Sequence, residues 1–283
     1  VPILGAGSSM ADYRIGFKWW ALIIAVVFVI SELVCVACVP ERPVACDEKP
    51  GKISDMFKAL FKNDQAMTVV VSIILVYTSL NICGNLVLYF FRFDVGNEGA
   101  YSIFAAVAFA AQVLVMMVIP LLRKRFSKSQ LFISGFIIQI AGFAVILIMA
   151  FAKLYTPQSW YILCLPGILI YLGYGMLNVI MTIFLSDSVD YGEVMNGTRE
   201  ESVIFSMQTF TVKLASGVAV FLAGLVVDWI HLDTAAAVQT QDTLDALRMW
   251  IPSVILLIVG IFVFKRFYKL DDTRMEEIKS KLN

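Results

Sequence analysis

The sequence predicts an all-α membrane protein of seven spanning helices, and three observations carry that prediction. Sixty per cent of the 283 residues are apolar, above the roughly 45–50% usual in soluble domains. The apolar residues gather into runs long enough to cross a hydrocarbon core about 30 Å thick, which takes roughly 20 residues each. Lysine and arginine divide unequally between alternate connections, as they do in inserted helices.

The elements follow in order. Residues 1–18 read as an external connection, entered from an earlier part of a longer protein. The first span is Trp19–Val39. Residues 40–65 are polar, carry Pro40, Pro43 and Pro50, and read as a cytoplasmic linker. The six spans Ala66–Phe90, Ile103–Leu122, Leu131–Ala150, Trp160–Leu185, Val203–Trp229 and Met249–Phe264 then form a bundle over residues 66–264. The last is short and holds Pro252 near its start. Residues 265–283 are a charged cytoplasmic tail, in which DDTRMEEIKSKLN suits a surface helix. Trp19, Trp20, Trp160, Trp229 and Trp250 all fall at span ends, where an aromatic belt places them.

Orientation rests on the basic residues. With the 40–65 linker inside, the cytoplasmic connections hold 16 Lys and Arg and the external ones 5, and Lys213 remains within a span. The chain thus runs from an external amino end to a cytoplasmic carboxyl end. Its 22 basic and 22 acidic residues balance, which argues against a nucleic-acid surface. Five cysteines, mostly in apolar runs, and a single histidine make neither a disulfide framework nor a metal site; Cys35 and Cys38 read as small buried hydrophobes. The GAGSS at Gly5–Ser9 lacks the preceding strand and the βαβ unit of a phosphate loop. The Asn196-Gly197-Thr198 sequon lies on the cytoplasmic side.

Polar side chains recur on one face of three spans. The second span carries Tyr77, Asn81 and Asn85; the fifth Tyr171, Tyr174, Asn178 and Thr182; the sixth Ser206, Thr209, Lys213, Ser216 and Gly217. Within a bilayer such groups need a partner or a wet cavity. For the glycines and serines, close helix packing is an equal alternative. Packing does not account for Lys213. Eleven residues beyond Ser202, it lies about 16 Å along the helix, near the midplane, where a lysine costs on the order of 2.5–3.5 kcal/mol or more. Aromatic rings, amides and hydroxyls are also the groups that hold a sugar, so the stripes are candidate walls of a sugar cavity.

The stretch SDSVDYGEVMNGTREES joins the fifth and sixth spans. Its spacing Asp187-x-x-Asp190-Tyr191-Gly192-Glu193, then Gly197-x-Arg199-x-Glu201, then Phe210-x-x-Lys213, resembles the glycoside–pentoside–hexuronide:cation symporters, the melibiose-permease-like family of the major facilitator superfamily. FKALFKNDQ, YFFRFDVG and FYKLDDTRMEEIKSKL are similar to that family as well, so the likeness runs from about Arg14 to the end. It implies the carboxyl-terminal six-helix bundle of the fold plus one preceding helix, the sixth. It also implies an amino-terminal half of the same protein as partner, alternating access between the halves, and a bacterial plasma-membrane location. On the same resemblance Lys213 couples cation to sugar, and the family's main cation-binding carboxylates fall on earlier spans.

The expected function is symport of a glycoside or related sugar with Na⁺ or H⁺, without a bound cofactor. The acidic stretch reads as a cytoplasmic loop and candidate gate, in which Asp187, Asp190, Glu193 and Glu201 pair with Arg199; a solvated loop is the plain alternative. The same fold can also carry a lipid or a drug-like solute. An enzyme using Asp187 and Asp190 as an acid–base pair is the alternative of another class, and it lacks any neighbouring metal-ligand or nucleophile cluster.

Overall fold

The computed structural model describes residues 10–38, 58, 61–197, 201–234, 236, 238–249 and 251–282, and all of its regular structure there is helical. Seven of its helical segments are long and apolar enough to cross a membrane. The chain divides into two units, residues 1–50 and 51–283. The first contains helix α1, Met10–Cys38, a continuous apolar rod.

The second unit is the bundle. Helix α2, Asp64–Tyr89, starts at Asn63, whose side chain accepts from the Ala66 amide at 2.9 Å. It ends in a π-helical turn, Phe90–Asp94. Helix α3, Ala100–Leu122, and helix α4, Lys128–Phe151, follow, the latter opened by a Ser127–Gln130 capping box. A 3₁₀ turn, Trp160–Leu163, leads into helix α5, Cys164–Asn196. Helix α6 is Glu201–Trp229. The short amphipathic helix α7, Gln241–Arg248, precedes helix α8, Ile251–Phe267, and the tail forms helix α9, Asp272–Leu282.

The helices sort into two sets of three. Helices α6 and α8 pack on α2, helices α3 and α4 pack on α5, and α2 meets α5 between them. Each seam has its own chemistry. Ser79 and Ser253, both fully buried, donate to each other's carbonyl oxygens at 2.9 and 3.0 Å and tie α2 to α8. The α4–α5 seam is closed by glycines: a Cβ on Gly173 would lie 2.5 Å from the Gly135 carbonyl oxygen, and one on Gly142 would lie 2.7 Å from Ile170. On the far side of α5, a Cβ on Gly175 would meet Val115 of α3 at 2.6 Å. Phe132, Phe184, Phe264 and Tyr268 stack at 4.2–5.1 Å between ring centres and join α4, α5 and α8 at one end.

Two expectations change. The fifth span does not stop at Leu185: α5 is 33 residues long and runs to Asn196. Residues 186–196 of the stretch read as a loop are therefore the last three turns of a helix. Its apolar run ends at Leu185, but neither glycine nor proline breaks the backbone until Gly197, which takes the left-handed φ of +74° that closes the helix. The last span also differs, because α8 extends to Phe267 and is preceded by α7, whose polar sequence gave no sign of a span.

Candidate functional site

The polar stripes of α2 and α5 meet through one hydrogen bond, and α5 reaches α6 through another. Asn178 of α5 donates its side-chain amide to the Tyr77 hydroxyl of α2 at 2.6 Å. Tyr174, buried one turn earlier, meets the Tyr77 ring edge-on at 5.5 Å and backs it. Asn81 donates to the Tyr77 carbonyl oxygen and Asn85 to that of Asn81, each at 2.7 Å. Each amide thus spends one N–H on its own helix and keeps its oxygen and second N–H for another partner. Thr182 accepts from Gln208 of α6 at 3.2 Å, bridging the rim between α5 and α6. Thr209 and Lys213 are exposed on α6. Lys213 sits near the middle of that 29-residue helix.

The glycines decide between packing and openness. A Cβ on Gly84 of α2, or on Gly217 or Gly224 of α6, would find nothing within 4 Å, whereas those on α5 are filled. Packing within the bundle therefore explains Gly173 and Gly175 but not the α2 and α6 stripes. Tyr171 belongs to neither group: half-buried, it packs on the core. Asn85, Thr182, Thr209 and Lys213 are exposed, and Asn81, Asn178 and Gln208 are half-buried. The pattern in the sequence omitted Gln208, because a glutamine beside Thr209 falls a step outside the stripe.

The acidic motif makes a second site, at the end holding the start of α2 and α4. Asp187 is buried and forms an ion pair with Lys128, also buried, at the first residue of α4. Asp272, from the tail, approaches the same ammonium at 3.5 Å, pairs with Arg123 at 3.2 Å and accepts from the Lys128 amide at 3.3 Å. Burial works against the Asp272 carboxylate, but Arg123 and Lys128 outweigh it and hold its pKa below the ordinary value. Gly192 leaves room for the Asn63 side chain, which would lie 2.8 Å from a Cβ there and which donates to the Ser188 carbonyl oxygen at 2.8 Å. Tyr191 packs with Leu270, Met275 and Ile278 of the tail. Gln65 accepts from the Lys269 amide at 2.8 Å and so ties the start of α2 to the same tail.

The motif is thus a joint among α2, α4, α5 and the tail, with a partner for Asp187 that the sequence did not single out. Asp187 pairs with Lys128, which in the sequence counted only as one more basic residue beside a span. Arg199 lies outside the described residues. Glu201 occupies the first turn of α6, and Asp190 and Glu193 sit half-buried on the last turns of α5.

Comparison with known proteins agrees in kind. A family profile described as MFS/sugar transport protein matches residues 1–272. The chain is 26% identical over 274 residues to the isoprimeverose transporter of Lactiplantibacillus pentosus, covering 96% of this chain and 55% of that protein. It is 26% identical over 255 residues to an uncharacterized symporter of Bacillus subtilis, covering 88% and 54%. The raffinose carrier protein of Pediococcus pentosaceus is 24% identical over 284 residues, covering 97% and 43%. The chain spans about half the length of these relatives.

Proposed function

The chain belongs to the MFS/sugar transport protein family, and on that premise we propose that it forms one half of a cation-coupled sugar transporter of the bacterial plasma membrane. The observation that carries this reading is the open face itself. Hydrogen-bonded amides and hydroxyls link α2, α5 and α6, Thr209 and Lys213 are exposed on α6, and Gly84, Gly217 and Gly224 meet open space. A face lined with hydrogen-bonding groups on an apolar wall suits a polyhydroxylated ligand. The relatives named for isoprimeverose and raffinose point to the same substrate class.

The face closes, in this proposal, against a second helical bundle supplied by the rest of the protein, and the sugar binds between them. The two bundles rock to expose it to each side in turn. Asn81, Asn85, Asn178 and Thr182 hold the sugar hydroxyls, and Tyr77, fixed by Asn178, offers its ring. Lys213 exchanges partners with a carboxylate of the facing bundle as Na⁺ or H⁺ binds and leaves. The basic end, with the Lys128–Asp187–Asp272 joint, is cytoplasmic and keeps α4, α5 and the tail moving together.

The test is uptake against an imposed Na⁺ or H⁺ gradient by the intact protein in vesicles. Lys213→Ala is expected to lose coupled uptake while inserting at the normal level, since it removes an intramembrane charge. Lys213→Arg keeps the charge on a planar fork and rescues in part. Normal coupled uptake by Lys213→Ala would falsify the coupling role.

A further inference from the structure

The opposite end of the bundle holds a second buried charge cluster, which no part of the transport reading uses. Asp94 is the last residue of the π turn that finishes α2. Its side chain is only 1% exposed and that of its partner Arg248 only 7%. Arg248, at the end of α7, donates Nε to both carboxylate oxygens of Asp94 at 3.0 and 3.1 Å and Nη2 to one of them. Its remaining fork nitrogen donates to Asp245 at 2.6 Å. The hydroxyl of Tyr155, from the α4–α5 connection, donates to the other oxygen of Asp94. Burial and the neighbouring Asp94 carboxylate push the Tyr155 phenol above its ordinary pKa, so it stays a donor. Next along the chain, Asn97 donates to the Pro157 carbonyl oxygen at 3.1 Å, and Gly96 takes a φ of +75° with Pro157 beside it.

Three connections thus converge on one carboxylate. A buried ion pair is a weak stabiliser, because desolvating two charges offsets most of their attraction. What such a pair does secure is geometry, and the geometry here is unusual. In the π turn the Val95 amide bonds to the Phe90 carbonyl oxygen at 3.0 Å, five residues back, and the Asn97 amide reaches Phe91 at 2.9 Å. A π turn holds one residue more than an α turn, and isolated π turns tend to mark functional positions. Reverting it to α geometry would turn one side of the break by about 100° relative to the other, the rotation of a single residue. That rotation would carry Asp94 off Arg248 and Tyr155.

We propose that Asp94, Arg248 and Tyr155 form a clasp that holds this π turn and thereby sets the rotational register of the outer turns of α2, the turns that carry Asn85. Asp94 acts here as a positioning residue through the backbone. The clasp is a two-state element: closed, it aims Asn85 at the open face; released, it lets the outer end of α2 rewind. The inference does not depend on what that face binds.

The test reads register directly. Two single-cysteine variants are made, Asn85→Cys at an exposed position and Leu86→Cys at a buried one, in the full chain with its five native cysteines replaced by alanine. Each is reacted with a water-soluble maleimide in lipid nanodiscs. With the clasp intact, the thiol introduced at position 85 reacts much faster than the one introduced at position 86. In the double variant Asp94→Asn/Arg248→Met, which removes both buried charges and leaves only the 40% exposed Asp245 without its ion-pair partner, the ratio of the two rates is expected to fall by about tenfold or more. Arg248→Lys keeps the charge but loses the fork, is the milder variant should the double one fold poorly, and should lower the ratio by less. A pair that only stabilises would shift the melting temperature and leave the ratio unchanged in either variant, and that result would overturn the proposal.

Discussion

Helices α5 and α6 are built from similar materials and end in opposite surroundings. Each carries glycines, small hydroxyl residues and at least one charge. On α5 the glycines are filled by neighbours on two sides, and Asp187 is buried against Lys128. On α6 the glycines face open space, and Lys213 is exposed. The contrast teaches that a small-residue stripe in a membrane helix does not announce its role. Only the partner across the gap separates a seam from a cavity wall.

Substitutions at matched positions break or sharpen this contrast, and the buried charge gives the largest expected effect. Asp187→Ala removes the buried partner of Lys128 and leaves it only Asp272 at 3.5 Å, a loss of up to about 3–5 kcal/mol. The purified chain should melt far below wild type, whereas Lys213→Ala should melt within about 0.5 kcal/mol of it, as substitutions away from packed features do. Equal losses would mean that the two helices are not differently placed.

The glycines come next. Gly173→Leu forces a side chain into the Gly135 backbone, an overpacking worth about 1–3 kcal/mol or more. Gly217→Leu enters open space and should leave the melting of the chain almost unchanged, while blocking sugar uptake in the intact protein. A destabilised Gly217→Leu would show α6 to be a packed seam after all.

Asn178→Leu removes the hydrogen bond to Tyr77 and should cost about 1 kcal/mol, a modest fall in denaturation midpoint. Tyr77→Phe should cost no more on its own and should add nothing to it, because the two act as one pair. Additive losses in the double-mutant cycle would dissolve the pair.

The smallest effect belongs to the tail. The Asp272 pKa is held below its ordinary value in the folded chain. Its contribution to docking α9 is therefore fully present above the unfolded carboxylate value of about 3.9 and is lost as pH falls through the depressed native value. Hydrogen exchange of α9 should accelerate over that acid window in the native chain. In Asp272→Asn it should be faster at neutral pH, with less change across the window. Tail exchange indifferent to Asp272 at every pH would place its anchoring wholly in Leu270, Met275 and Ile278.

Much of the fold was legible because the bilayer constrains length and charge so strongly. Apolar runs of span length appear as helices, and hydrogen bonds join Tyr77 to Asn178 and Thr182 to Gln208. What the sequence did not disclose has identifiable physical reasons. A basic residue at the start of a span, such as Lys128, reads as topology because every such lysine does; its burial against Asp187 is a fact of three dimensions. Asp94 and Arg248 lie 154 positions apart, each at a span end where charge is unremarked. The end of α5 was misplaced because hydropathy locates the membrane boundary and not the end of the helix. Tyr174, three residues from Tyr171, is the more deeply buried of the two and meets the Tyr77 ring edge-on, a packing that the sequence pattern does not assign.

The length of α5 has a mechanical consequence. At 1.5 Å per residue its 33 residues make a rod about 50 Å long, against a hydrocarbon core of about 30 Å. The surplus stands beyond the membrane as a rigid lever, with Lys128 clipped to it by Asp187 and the tail strapped along it through Tyr191. A tilt of a few degrees about the bilayer centre would swing the tip of such a lever through several ångströms. A small rearrangement near the middle of the helix would then be reported, magnified, at its far end.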